Sequence, residues 1–250
     1  MLLSVIVPAR NEATLLPRCL ESITAAVDRA AVETEIIVVD GGSTDGTCTL
    51  AKEAGATVLV PEGCRGRGAA LCAGVSVSTG RYLLLLHADT EISTDAVRAA
   101  LEHLRAEDGA CTFSPRFDAD ESIYWHAMEA WCRSHDSILA TFGDAGCAMS
   151  RALWDRVGGA PAWPLFDDVE LFQRVRRHGA RITKLPAHIS IDTRRFASCG
   201  YAAYPPLCLS LIVLFACGTS PDTLAQLYRT TGHISTRPLG CWAQRSAPNH

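Results

Sequence analysis

Four aspartates in this chain stand just past apolar runs or at a helix start: Asp40 ends ETEIIVVD, Asp89 follows YLLLLHAD, Asp144 lies in GDAG and Asp168 opens FDDVELFQRVRRHG. The leucines Leu83 to Leu86 stop abruptly at His87, Ala88 and Asp89. A strand buried on both faces has no use for an imidazole or a carboxylate, so these groups are placed for a ligand. In open α/β sheets, ligands bind outside the carboxyl ends of the strands. A carboxylate beside a backbone-lined cleft suits a nucleotide base or ribose. A second carboxylate near phosphates suits a hard divalent cation, Mg²⁺ or Mn²⁺. The basic, glycine-rich segment 63–68, GCRGRG, offers backbone N–H groups together with Arg65 and Arg67 to a diphosphate.

Positioning these groups requires alternating strands and helices, and the first half of the chain supplies them. LLSVIVP, ETEIIVVD, ATVLVP and RYLLLLHAD read as buried strands ending at Pro8, Asp40, Pro61 and His87. Between them lie EATLLPRCLESITAAV, STDGTCTLAKEAG and the small-residue run GRGAALCAGVSVSTG, all with helical spacing or helix boundary residues. Ser43 and Asp45 fit a capping role for the second of these helices. The pattern predicts a parallel α/β sheet. Farther on, STDAVRAALEHLRAE is an amphipathic helix with Ser93 as its expected N-cap, and the aromatic-rich SIYWHAMEAWCRSHDSI is also helical. GDAGCAMSRALWDRVGG reads as strand, short helix and glycine stop. FDDVELFQRVRRHG is a helix with acids first and bases last, as the macrodipole favours. TSPDTLAQLYR has Ser220 at the N-cap and Pro221 at the first helical position. Residues 231–250 lack periodicity and read as an irregular tail.

Composition narrows the classes. The chain has 250 residues, 48% of them hydrophobic, and a net charge of −4, enough for a substantial core in one domain. No basic run exceeds two residues, which argues against a nucleic-acid partner. Eleven cysteines are an odd number, and no C-x-x-C occurs, so neither a disulfide framework nor a zinc site is indicated. Cys72, Cys111 and Cys208 sit in apolar runs and read as small buried hydrophobes, consistent with a reducing, cytoplasmic setting. There is no P-loop, no H-E-x-x-H and no G-x-G-x-x-G after the first strand. The N-terminus lacks a basic region and reads as a first strand rather than a signal peptide. The apolar segment 204–218 is short of the ~20 residues of a spanning helix. It is expected to be buried, with a peripheral membrane contact or a homodimer contact as second reading.

The motifs resemble the family 2 glycosyltransferases of GT-A fold. VIVPARNE is similar to their opening strand, IIVVDGGSTDGT to their second, GRYLLLLHADT to the strand carrying a D-x-D-type motif, and FDDVELFQRVRRHG to their "ED" helix. HADT, GDAGCAMSR and TRRF together look most like a bacterial subgroup found near radical-SAM proteins and linked to arsenosugar biosynthesis.

The resemblance implies a mostly parallel Rossmann-like central sheet flanked by helices, with further helices at the C-terminus. It implies one domain over residues 1–230, with donor binding in 1–92 and the acceptor and catalytic half in 93–230. The activity implied is inverting transfer from a nucleotide-diphosphate sugar to an acceptor hydroxyl. Pro8, Asn11 and Glu12 would frame the donor base and Asp40 would bond it. Asp89 would bind the divalent metal and the diphosphate. His87 replaces the usual first aspartate; an imidazole there can ligate a transition ion or hydrogen-bond donor or backbone. Asp168 would be the catalytic base, with Asp167, in place of the usual glutamate, and Asp144 on the acceptor side. DTRRF partly resembles the Q-x-x-R-W motif of processive members: Arg195 matches its arginine, while Asp192 and Phe196 depart from it. Arg195 would then join Arg65 and Arg67 at the diphosphate. The rival readings are a nucleotidyltransferase, which would want a basic glycine-rich loop after the first strand, and a non-catalytic nucleotide-sugar binder.

Overall fold

The computed structural model describes residues 1–64, 66–118, 123–134, 143–193 and 204–231. Strands β1 (Leu3–Ala9), β2 (Thr34–Asp40), β3 (Thr57–Leu59) and β4 (Tyr82–Leu85) lie parallel in the order β3-β2-β1-β4. Alternate residues of these strands enter two separate apolar layers. Val5, Val7, Leu84 and Leu86 join one, and Ile6, Leu83 and Leu85 join the other. Both layers are covered by helices, which is why the strands read as unbroken apolar runs. The first layer is closed by α1 (Leu16–Ala30), through Leu16 and Ile23, and by α4 (Ala96–Ala106), through Val97 and Leu101. The second is closed by α3 (Arg67–Val77), α6 (Arg151–Val157) and α7 (Asp167–Arg177), through Leu71, Leu153 and Phe172. The short α2 (Thr47–Glu53) links β2 to β3.

The sheet continues beyond β4 into the second half of the chain. Its full order is β3-β2-β1-β4-β7-β6-β8-β5, with β5 (Thr90–Ile92), β6 (Gly109–Asp118), β7 (Cys147–Ser150) and β8 (Arg181–Asp192). Here the directions are mixed: β7 is antiparallel to β4 and β6, β6 is parallel to β8, and β5 is antiparallel to β8. The expected parallel arrangement holds for the first four strands and for β6 with β8. A bulge between Phe113 and Ser114 shifts the β6–β8 register.

Three local expectations change. The fourth strand ends earlier than His87. Leu86 N–H still donates to Ile6 O (3.1 Å), but the chain then turns, and Thr90 N–H and Oγ1 both reach back to His87 O at 3.4 and 2.9 Å. Ser93 does not cap α4, which begins after Asp95 without a side-chain cap. Its hydroxyl instead accepts His188 N–H (3.0 Å) and donates to Asp95 (2.6 Å), tying the helix entry to β8. Ser43 and Asp45 serve mainly as ties between loops, as described below. Ser220 does accept Thr223 N–H (3.2 Å) as expected. Ser150 caps α6 through Leu153 N–H (3.1 Å), and Gly158, at φ 75°, ends it.

The aromatic-rich segment forms α5 (Ile123–Ser134). Trp125 of this helix is buried and stacks near Phe117, with centroids 4.8 Å apart, whereas Trp131 is exposed. Helices α8 (Tyr204–Ala216) and α9 (Pro221–Thr231) pack on each other through Leu211, Leu224 and Tyr228. Leu211 and Ile212 of α8 are buried as expected, but Leu209, Val213 and Leu214 face solvent. No helix among the described residues is long and apolar enough to cross a membrane. The tail beyond 231, Arg65, and Arg194–Phe196 of DTRRF lie outside the described residues.

Helix α3 carries glycines where neighbouring side chains and backbone approach it closely. A Cβ on Gly74 would sit 2.5 Å from Ile6 Cγ2 and 2.9 Å from Val39 Cγ2, and one on Gly68 would sit 1.9 Å from Pro161 O. The carbonyl is part of the backbone just before α7, so Gly68 sets how closely α3 approaches the start of that helix. Gly68→Ala should lower stability by about 1–3 kcal/mol, the usual cost of overpacking. The exposed Ser76→Ala on the same helix should change it by less than about 0.5 kcal/mol. Denaturant unfolding of the two variants compares them directly.

Candidate active site

Because β1, β2 and β4 are parallel, their carboxyl ends share one edge of the sheet, and the loops leaving that edge are bonded to one another. Gly41 N–H donates to Ala9 O at 2.9 Å. Asn11 adopts φ 54°, a left-handed conformation in which asparagine is enriched. Its N–H donates to Ser43 Oγ (2.8 Å), and its Oδ1 accepts Thr44 N–H (2.8 Å). Glu12 N–H donates to Thr47 Oγ1 (2.9 Å) and Ala13 N–H to Asp45 (3.2 Å). Ser43 and Asp45 thus bind the loop after β1 to the loop after β2. Asp45 also accepts Thr47 N–H (3.0 Å), but the N-cap residue of α2 is Gly46, which has no side chain to cap it. Asp40 is 2% exposed and accepts Ser43 N–H (3.0 Å), the Ser43 hydroxyl and the Cys48 thiol (3.1 Å). Pro8 is buried in β1 beside Val39 of β2. Pro8, Asn11, Glu12 and Asp40 are therefore brought together.

A second cluster forms where α3, the turn after β4 and the start of α7 meet. Arg67, at the first position of α3, grips Asp167 with both arms of its guanidinium, Nε to Oδ2 at 2.9 Å and Nη2 to Oδ1 at 2.8 Å. The same Nη2 lies 3.0 Å from Asp168 Oδ1, and Nη1 meets His87 Nε2. A guanidinium can only donate, so Nε2 accepts and the His87 proton is assigned to Nδ1. That nitrogen lies 3.9 Å from Asp89 Oδ1. Asp168 Oδ2 accepts Gly143 N–H at 2.6 Å, and Oδ1 accepts Val169 N–H at 2.8 Å. Burial alone would raise the Asp168 pKa. The Arg67 cation, the Gly143 N–H and the Val169 N–H outweigh burial and hold it below the ordinary carboxylate value. For Asp167 burial prevails over Arg67, and its pKa is raised. Burial would lower the Arg67 pKa, but the two carboxylates override it and raise it.

The start of α7 is itself shaped by packing. Phe166 precedes the helix at φ 61°, uncommon for a bulky residue, and its ring lies 5.2 Å from Phe215 of α8. Val169, Phe172 and Val175 face the core, as the helix pattern implied. The first-turn acids differ, however: Asp167 is 3% exposed and closed onto Arg67, while Asp168 lines a small open cleft with Arg67, His87, Gly143, Leu171 and Phe172. Asp89 lines a second small cleft with Arg18, Glu91 and Asp192. Asp144 is half-buried in the short turn Gly143–Ala145, one residue from the N–H that meets Asp168.

Sequence reasoning placed Arg67 at a diphosphate, and the structure turns it onto two aspartates. It also missed Gly143. A Cβ there would lie 2.8 Å from Asp168 Cβ, and the only sequence signal is a glycine beside the aspartate already noted. Among the described residues, no group of three or more His, Cys, Asp or Glu side chains is arranged to hold a metal.

Two curated proteins show what this sequence is similar to. A TPR repeat-containing protein of Synechococcus elongatus is 41% identical over 87 residues, which is 35% of this chain and 20% of that protein. An undecaprenyl-phosphate 4-deoxy-4-formamido-L-arabinose transferase of Aeromonas hydrophila is 32% identical over 108 residues, 40% of this chain and 33% of that one. The aligned stretches thus cover a third or less of these relatives. Among solved structures, a mannosyltransferase of Pyrobaculum calidifontis in complex with GDP-Man and Mn²⁺ superposes with TM-score 0.66 at 22% identity, over 92% of this chain and 68% of that one. The fold is GT-A. Residues 4–152, more than half of the chain, match the model of Glycosyl transferase family 2, and the chain belongs to that family.

Proposed function

We propose that this protein is an inverting glycosyltransferase that moves a sugar from a nucleotide-diphosphate donor to an acceptor hydroxyl, with Asp168 as general base. The observation that carries the reading is the placement of Asp168. It lies in a cleft with His87, in the turn after the family-matched β4, and both its oxygens are fixed by donors that hold its pKa low. Asp168 itself lies beyond the stretch matched by the family model. The nucleotide base occupies the edge formed by Pro8, Asn11, Glu12 and Asp40. His87 and Asp89 face the diphosphate, joined by Arg65 and Arg195 from segments outside the described residues.

The donor set fits a divalent ion held in one particular way. Asp89 supplies a single partly buried carboxylate, and Mg²⁺ is commonly bound through one or two carboxylates plus substrate phosphates. A neighbour of the same fold is named as a complex with GDP-Man and Mn²⁺, which supports both donor class and metal. When bound, such an ion neutralises charge on the diphosphate. The protein's own part is to orient the acceptor and take its proton. The acceptor oxygen attacks the anomeric carbon, the bond from that carbon to the diphosphate breaks, and the leaving group departs with the electron pair. Asp168 accepts the hydroxyl proton. A weak base suffices here because the hydroxyl becomes acidic once its oxygen has begun to bond to an electron-poor carbon.

Asp168→Asn keeps the size and most hydrogen bonds but cannot take the proton. It should lower turnover roughly 10²–10⁴-fold and leave donor affinity within a few-fold. In the wild-type enzyme the base must be ionised, and its pKa is depressed. The acid limb of turnover should therefore lie below the ordinary aspartate value of about 3.9, provided the fold persists there. Full turnover in the asparagine variant would remove Asp168 from the mechanism. Parallel loss of turnover and donor affinity would make it a binding residue.

We extend the reading to two finer points. HADT, GDAGCAMSR and TRRF support the arsenosugar-type subgroup; absence of product with an arsenic-containing acceptor, alongside product with simple hydroxyl acceptors, would remove that assignment. The exposed Leu209, Val213 and Leu214 of α8, a helix without a charged residue, support peripheral contact with a membrane, and the free cysteines among the described residues support a cytoplasmic setting. Co-sedimentation with anionic lipid vesicles should fall markedly in Leu209→Ser/Val213→Ser. Equal sedimentation of the two proteins would refute the contact, and a concentration-dependent dimer would replace it.

A further inference from the structure

The mechanism above leaves Arg67 and Asp167 without a part, although they hold the closest charged contacts to the base. We propose that Arg67 is a positioning residue for Asp168 and that Asp167, rather than facing an acceptor, is the anchor that clamps Arg67 in place. The catalytic consequence rests on the transferase reading; the clamp itself does not.

Geometry carries the assignment. A carboxylate bound to both Nε and Nη2 fixes the plane of the guanidinium, which a single contact would not. With the plane fixed, Nη2 falls 3.0 Å from Asp168 Oδ1 and Nη1 falls on His87 Nε2. Arg67 thus spans the turn after β4 and the start of α7. Asp167 is 3% exposed, so it has little access to an acceptor from solvent. Gly68 permits the approach, since any side chain there would meet Pro161 O and the Asp167 side chain. Lysine could neutralise the two acids but has no fork with which to hold both.

Among the described residues, the groups with the largest influence on Asp168 come from four elements. Arg67 is on α3, His87 follows β4, Gly143 N–H belongs to the turn before β7, and Asp167 with Val169 N–H belongs to α7 itself. Arg67 is the cation in direct contact. Removing it leaves two adjacent buried carboxyls competing for one site, and a charge partner at this distance commonly moves a carboxyl by about 1–3 units. Removing Asp167 acts in the opposite sense, because Arg67 then serves Asp168 alone.

The test is a carbon-13 NMR titration of the Asp168 carboxyl, which needs no substrate. In the wild-type protein the midpoint should lie below the ordinary carboxylate value. In Asp167→Asn it should stay there or fall. In Arg67→Met it should rise by about 1–3 units, and in the double variant Arg67→Met/Asp167→Asn by less, because the like charge of Asp167 is removed together with the cation, while Arg67→Lys should recover part of the shift. Arg67→Met alone strands a buried charge and can unfold the protein; the double variant removes both partners and carries the test. An Asp168 midpoint unmoved in the folded double variant would overturn the proposal. So would a double variant that does not fold, which would make the pair a folding element. An unmoved midpoint together with an inactive Asp168→Asn enzyme would end the clamp and leave the transferase reading standing.

Discussion

A guanidinium taken out of water is costly unless its donors are matched, and Arg67 is matched by two carboxylates and an imidazole. This contact joins parts of the chain that are a hundred residues apart. Arg67 opens α3, which lies against β1 and β2 in the first half of the sheet, and Asp167 opens α7 in the second half. Among the described residues this cluster sets one guanidinium against two carboxylates. Asp168 adds the Gly143 and Val169 N–H groups to the shared cation and is held low, whereas at Asp167 burial prevails and the pKa is raised.

The edge formed by the loops after β1 and β2 follows a different rule. It is built from neutral and charge-assisted hydrogen bonds between neighbouring loops rather than from an ion cluster. Asn11, Ser43, Asp45 and Thr47 accept backbone N–H groups of the facing loop and so hold the two loops together. A loop fixed in this way presents a rigid surface to a flat ligand without losing conformational entropy on binding. Phe166, held against Phe215 in a left-handed conformation, does the comparable work for the other half by setting where α7 begins.

The central strands were legible because burial on both faces leaves unbroken apolar runs, and Asp40 and Asp89 stand out against them. The first-turn acids of α7 were equally visible, since Asp167 and Asp168 precede a periodic apolar face. What could not be read was partnership. Arg67 and Asp167 are far apart in sequence, and a basic residue in a glycine-rich segment suggests phosphate before it suggests a carboxylate. Gly143 acts through its backbone N–H, which every residue but proline possesses, so its type carries no signal of the role. The strand β7 was read from GDAGCAMSR, but its antiparallel direction was not, because a short apolar run encodes burial but not direction. Ser93 was misplaced as a cap because its hydroxyl meets β8, a contact that no local pattern contains.

The account stands or falls on whether the turn after β4 is a donor site completed by a metal. Calorimetric titration of GDP-mannose and UDP-N-acetylglucosamine into the wild-type protein and Asp89→Ala, each with and without Mn²⁺, measures this directly. The account predicts that at least one donor binds the wild-type protein in a Mn²⁺-dependent manner, and that the dependence vanishes in a folded Asp89→Ala. Donor binding of equal strength in all four conditions would contradict it.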